Sequence, residues 1–434
     1  MKNITIYCFR NDLRLFDNPA FLKATIESDV LLPLFCHPNN ELIHKDIQRI
    51  GIHRRTFLRQ ALNQLRSHLK SLNSDLLEVN GNICEEIKKI SEVIGATKII
   101  FEKIVSPEEL NEEISIRSLG ISVETIWQSS MIDLKDLPFE PENMPDTYTD
   151  FRKLIESKKI ITKAPIALPE KLPPLPEKNI KFNSNINFSK YSKYKYSSFP
   201  YLEEQFNGGE KNALSHLENY LLQKLPHTYK ETRNQLFGIH FSTKFSPWLS
   251  IGCISAKYIA FKLKEFEGKF GANESSYWIW FELLWRDYFK FLHFKYGKNL
   301  YLKNGLNNNA RIINHDDNKF DAWIRGKTGN NLIDAGMREL CSTGYLSNRM
   351  RQIVASYLIY DLDCDWRRGA QWFESQLVDY DVYSNHGNWL YIAGNGTDPR
   401  GGRKFNTTKQ NLEHDPNNLY KELWLKQPIN VSQV

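Results

Sequence analysis

The chain of 434 residues is long enough for about two or three domains, at roughly 150 residues each. It is 41% hydrophobic and 25% charged, with a mean hydropathy of −0.50, the profile of a soluble globular protein that buries a large core unaided. No apolar run reaches the roughly 18 residues of a membrane-spanning helix, so no membrane partner is expected. Six scattered cysteines, with no CxxC and no Cys/His cluster, argue against a disulfide framework or zinc site; no metal is expected. Met1-Lys2-Asn3-Ile4 enters a strand pattern at once, so a signal peptide is not expected and a cytoplasmic protein is.

The first 133 residues alternate short apolar runs with amphipathic stretches. Strands are expected at Ile4–Phe9, Val30–Phe35, Leu76–Val79, Lys98–Phe101 and Ser122–Trp127, with helices at Arg49–Ser71 and Ile83–Ile94. This alternation predicts an α/β domain with a doubly wound parallel sheet. The loop after the first strand reads Arg10-Asn11-Asp12-Leu13-Arg14, not GxGxxG, so the ordinary dinucleotide fingerprint is absent. Residues 134–200 are rich in proline and lysine and lack a sustained apolar period, which predicts a surface connector. Residues 201–434 are expected to form a larger all-helical domain, with helical spacing at Asn212–Lys224, Ala256–Phe266, Ser276–Tyr296, Leu332–Cys341 and Arg349–Leu362.

The net charge of +6 is unevenly spread. Arg152–Lys195 sets eleven basic residues against Glu156, Glu170 and Glu177. Such a bias suits either a solvated linker or a surface that follows phosphates. Aromatic content of 13% likewise fits core packing or stacking on bases and flat cofactors.

Three segments carry candidate chemistry. Ser242-Thr243-Lys244-Phe245-Ser246-Pro247 places three hydroxyls and a lysine before a proline, which suits an anion or a simple helix cap. Glu282-Leu283-Leu284-Trp285-Arg286 offers a pair at i,i+4 that could bridge on the surface, with Trp285 as core or stacking platform. Asp379-Tyr380-Asp381-Val382-Tyr383-Ser384-Asn385 carries two carboxylates at i,i+2. No cluster supports a metal there, and ribose or adenine donors fit better.

Six blocks in order resemble the photolyase/cryptochrome flavoprotein family, and most of all its DASH cryptochromes. They are Phe9–Arg14, Tyr229–Asn234, Phe281–Phe289, Ser347–Gln352, Asp379–Trp389 and Gly396–Arg400, spread over nearly the whole chain. The resemblance implies FAD folded within the helical domain. Tyr229 and Ser242, Thr243, Lys244, Phe245 and Ser246 would hold the pyrophosphate and ribitol side. Glu282, Arg286 and Asn348 would line the cavity, Asp379 and Asp381 would face adenine, ribose and the flavin edge, and Asn385 would meet flavin N5. An amide there can donate or accept, which tolerates reduced flavin.

The implied activity is blue-light repair of cyclobutane pyrimidine dimers, mainly in single-stranded DNA, by electron transfer from reduced FAD. RNA and duplex DNA would bind weakly, and a monomer is expected. Trp285 and Tyr391 would flank the lesion, Glu282 would bond its base edge, and Arg233 and Arg351 would contact flanking phosphates. The alternative is a blue-light photoreceptor that binds nucleic acid without turnover. Trp389 and Trp366 match the inner members of the family's electron-transfer chain, but its outer tryptophan falls on Ile313. Either a nearby tyrosine ends the chain or photoreduction is slow; slow photoreduction, restored by Ile313→Trp, is expected. The resemblance allows a methenyltetrahydrofolate antenna, but the glutamate that holds it in relatives falls on Ile104, which argues against it.

Overall fold

The structure is a computed structural model that describes residues 2–38, 41–44, 47–160, 163–177, 196–308 and 312–426. Its strands are β1 (Ile4–Phe9), β2 (Val30–His37), β3 (Leu42–His44), β4 (Ile47–Gln48), β5 (Leu77–Asn80), β6 (Lys98–Glu102) and β7 (Ser122–Ile126). Five of them form one parallel sheet in the order β5-β2-β1-β6-β7, and β3 and β4 form a small antiparallel hairpin absent from the sequence expectation. β1 and β2 read as continuous apolar runs because both faces of the sheet are covered.

Local rules explain where the helices begin and end. In the Ile83–Ile94 helix the Asn82 side chain accepts from the Cys84 and Glu85 amides, and Gly95 ends it at a left-handed φ of 71°. Ile87, Ile90 and Ile94 form its buried stripe beneath the sheet. Helices Pro19–Glu27 and Pro107–Arg117 also cover the sheet; each opens on proline after Asn18 or Ser106, a start signal that apolar spacing alone does not reveal.

Strand order reverses between β1 and β6, and a crevice opens at their carboxyl ends. A cavity of about 1080 Å³ lies there, walled by Arg10, Asn11, Ile104 and Ser106 on one side and by Tyr301, Glu374, Asp381 and His386 on the other.

From residue 196 onward every regular element among the described residues is helical. The Glu274–Tyr296 helix runs through this domain, opened by a capping box between Asn273 and Ser276. Residues 134–200 differ from the expected connector, because they contain the helix Tyr148–Ser157 with Tyr148, Phe151 and Ile155 buried on one face. The flanking prolines masked this short apolar spacing. Part of the lysine-rich stretch, 178–195, lies outside the described residues.

Buried polar contacts lock the α/β domain to the helices. The Asp287 carboxylate, on the long helix, accepts from the Met131 and Ile132 amides, both at 2.9 Å. Arg14 donates to the Gly252 carbonyl at 2.9 Å, and Glu210 accepts from the Leu15 and Phe16 amides. Gly252 has φ of 70°, and a Cβ there would lie 1.9 Å from the Asn11 carbonyl oxygen, so only glycine permits this approach. Truncation at Asp287 leaves two buried amides unpaired. Asp287→Ala is expected to cost about 2–4 kcal/mol, read as a lower urea midpoint with wild-type helical content.

Candidate functional site

Asp379 and Asp381 lie in the turn before the helix Val382–Ala393, and the Asp381 side chain caps that helix by accepting from the Ser384 amide at 2.8 Å. Both carboxylates face a cavity also walled by Asn348, Arg351, Gln352, Asn385, Asn388 and Trp389. Each meets a cation from a different helix. Arg351, on Asn348–Tyr360, pairs with Asp379 at 2.8 Å, and Lys290, on the long helix, pairs with Asp381 at 3.5 Å. Burial would raise the Asp381 carboxyl, but Lys290, Arg286 and the Ser384 amide outweigh it and hold it down at about 2.

Asn385 is buried, and its Nδ2 donates to the Ala370 carbonyl at 3.0 Å. A flipped amide would set oxygen against oxygen, so the Ala370 carbonyl fixes the orientation. One of its two N–H donors is thereby used, and the second N–H and Oδ1 stay available, so both roles that the sequence reading allowed remain open to Asn385.

Segment 242–246 reaches the same region through Lys244. Ser242 and Lys244 have φ of 64° and 57°, left-handed values uncommon outside glycine, and such alternation turns successive amides toward one side. The Lys244 ammonium is buried 5.1 Å from the Tyr345 ring centroid, whose ring also meets the Arg351 guanidinium at 5.4 Å. It makes no ion pair with any described carboxylate within 4.0 Å. Burial, reinforced by Arg351, pushes it down to about 7 against the pull of Glu339 and Asp379. The Phe245 ring packs on His216 and Tyr220, so its side chain belongs to the core beneath this turn. Thr243 lends its carbonyl to His216, Ser246 is exposed, and Tyr229 is buried beside Arg233 and Glu282.

A second group of predicted residues stands on the long helix. Glu282 pairs with Arg233; burial pushes its carboxyl above the usual range while Arg233 pulls it back. Trp285 meets Tyr391 edge-on at 5.5 Å and stacks on Tyr148 at 3.6 Å and 10°, a partner the sequence reading did not find. Arg403 donates to the Tyr391 hydroxyl at 2.8 Å. Arg286 donates to the Ser129 and Leu249 carbonyls and so ties the domains together near Asp381. Two phosphate-contact expectations change. Arg351 is turned into the cavity by Asp379 and the Leu346 carbonyl, and Arg233 is engaged by Glu282.

Trp389 lines the cavity and rests over Gly369, where a Cβ would lie 2.2 Å from the indole. Trp366 sits one turn earlier on the same helix, fully buried, and Ile313 is also buried. Lys290 and Tyr345 were missed by the sequence reading. A single lysine at the centre of an aromatic, buried helix was the available signal for the first; nothing local marked the second.

A family model for DNA photolyase matches residues 5–176, and one for the FAD-binding domain of DNA photolyase matches residues 278–433. A cryptochrome DASH from Xenopus laevis is 40% identical, over 98% of this chain and 83% of its own. The chain belongs to the photolyase/cryptochrome family. Within it, the similarity is to DASH cryptochromes. The crystal structure of the Synechocystis sp. PCC6803 cryptochrome superposes with a TM-score of 0.92 at 38% identity, covering 98% of this chain and 89% of that one. A bacterial class III photolyase from Agrobacterium tumefaciens superposes with a TM-score of 0.82 at 26% identity, covering 98% and 87%.

The residues present fit the FAD that this domain family binds. A buried ammonium without a carboxylate partner suits a pyrophosphate, and the buried, unpaired Asp379 Oδ1 suits a hydroxyl or N–H donor. Because an anion favours charged Lys244, FAD binding should take up a proton above about pH 7. Affinity for FAD is therefore expected to weaken by up to about tenfold per pH unit above 7. Lys244→Met should bind FAD weakly with that pH slope removed, as read by flavin fluorescence titration.

Proposed function

We propose that this DASH cryptochrome is a light-driven, FAD-dependent lyase that repairs cyclobutane pyrimidine dimers, mainly in single-stranded DNA. When bound and reduced, FAD would supply the electron that splits the dimer under blue light and would take it back afterwards. The observation that carries the reading is Asn385. It is buried at the cavity wall with one N–H held by the Ala370 carbonyl, and its Oδ1 can accept from a protonated N5, the state of the reduced flavin that repair needs.

The remaining residues receive the lesion. Trp285 is braced on one face by Tyr148, so its remaining surface and the Tyr391 ring edge offer an apolar wall for two joined pyrimidines. Glu282, held in place by its ion pair with Arg233, can accept from a ring N–H of a pyrimidine. A dimer must leave the base stack to reach this wall, which costs least in a single strand. A photoreceptor that binds DNA without turnover is the other reading of the same fold.

The test is repair of a thymine-dimer oligonucleotide by the FAD-loaded, reduced protein. Blue light should restore the single strand, darkness should not, and duplex should be repaired more slowly. Glu282→Ala should lower the repair rate by about a hundredfold while Glu282→Gln, which keeps a donor and an acceptor, retains most of it. Absence of repair in light with reduced FAD bound would leave the photoreceptor reading in its place.

A further inference from the structure

The replacement of the outer tryptophan by Ile313 leaves an electron path without its usual end, because an aliphatic side chain carries no accessible hole. One ring contact leads from Trp389 at the cavity, and a second chain of rings runs from Trp366 to the interdomain cleft. Trp389 meets Trp323 at 6.4 Å, but Trp323 is fully buried and its indole N–H donates to the Val354 carbonyl, which cannot take a proton. A hole there would remain a cation and recombine. Trp366 is held in the same way, its N–H donating to the Lys303 carbonyl at 2.9 Å. Its ring, however, meets His386 at 6.3 Å, and His386 meets Tyr301 at 4.3 Å, at the wall of the interdomain cleft.

Tyr301 has a proton acceptor in place. His293 Nδ1 lies 2.9 Å from the Phe289 carbonyl and must donate to it, so in the neutral ring Nε2 is a lone pair. Burial keeps that ring neutral by pushing it down to about 3. The Tyr301 hydroxyl, 3.0 Å from Nε2, is therefore the donor.

We propose that Tyr301, paired with His293, is the terminal electron donor for flavin photoreduction in this protein, in place of the tryptophan absent at position 313. One electron would leave Trp389 for light-excited oxidised FAD, Trp366, the neighbouring member of the chain that the family resemblance implies, would refill Trp389, and Tyr301 would refill Trp366 across His386. As Tyr301 is oxidised, its phenolic O–H bond breaks and the proton passes to His293 Nε2, giving a neutral tyrosyl radical and an imidazolium. An oxidised phenol is a far stronger acid than imidazolium, so the transfer runs forward even to a buried histidine. A small thiol entering the cleft returns the electron, and His293 returns the proton. The inference rests on the preceding reading only in taking FAD as the light-excited acceptor.

The experiment is flash photolysis with electron paramagnetic resonance on FAD-loaded, oxidised protein without DNA. Wild type should yield a long-lived neutral tyrosyl signal whose formation slows in D2O. Tyr301→Phe should lose that signal and slow thiol-driven photoreduction by about tenfold. Ile313→Trp added to Tyr301→Phe should restore photoreduction, now with a tryptophanyl signal, which a merely structural defect would not allow. A tyrosyl radical that persists in Tyr301→Phe, or a wild type that yields only tryptophanyl radicals, overturns the proposal. Dimer repair by chemically reduced wild-type protein is scored separately. Its failure would overturn the repair reading and leave the radical assignment standing.

Discussion

Two carboxylates two residues apart, Asp379 buried and Asp381 largely so, stand in the helical domain, and the site follows from the cost of taking them out of water. A buried charge must be paired, so each draws a cation from a separate helix, Arg351 from one and Lys290 from another. Three elements are thereby fixed around one cavity. The same requirement sets Asp381 as a helix cap, which aims Asn385 one turn further on. The pairs need not add net stability. Their effect is positional, and the unpaired Asp379 oxygen and the lone Lys244 ammonium mark where a ligand completes the set.

The second constraint is close approach. Gly387 lets the Phe289 ring sit where a Cβ would stand 2.2 Å away, so the helices carrying Lys290 and Asn385 pack tightly enough for their charges to meet. Gly369 does the same for Trp389. Between the domains, Asp287, Arg14 and Glu210 add buried hydrogen bonds to backbone to an apolar core that runs through both, which fixes the cleft width. Ile104 faces that cleft as an apolar wall residue, so a folate there would need other polar partners than the one relatives use.

How far the sequence revealed this differs by level. The five strands of the main sheet were legible because buried parallel strands are apolar runs, and their observed bounds lie within two residues of the expected ones. The hairpin β3–β4 and the helix Tyr148–Ser157 were not, since each is too short to show a period between its flanking breakers. Within the site, Lys244 stood out in a hydroxyl-rich segment and Asp379 and Asp381 by their i,i+2 spacing, while the role of Asn385 came from the family resemblance. Lys290, Tyr345, Tyr148 and the Tyr301–His293 pair did not, because their roles depend on helices that meet only in the fold. Arg351 and Phe245 show that the direction of a side chain comes from its tertiary partner rather than from the local segment.

The account stands on one arrangement: buried charges that hold a flavin dinucleotide, with an amide oxygen turned toward its reducible edge. A crystal structure of the FAD-loaded, reduced protein tests it most directly. The account predicts the pyrophosphate within ion-pair distance of Lys244 and Asn385 Oδ1 within hydrogen-bond distance of flavin N5, with Nδ2 still on the Ala370 carbonyl. FAD seated elsewhere, or Asn385 released from Ala370 to donate to the flavin, would contradict it.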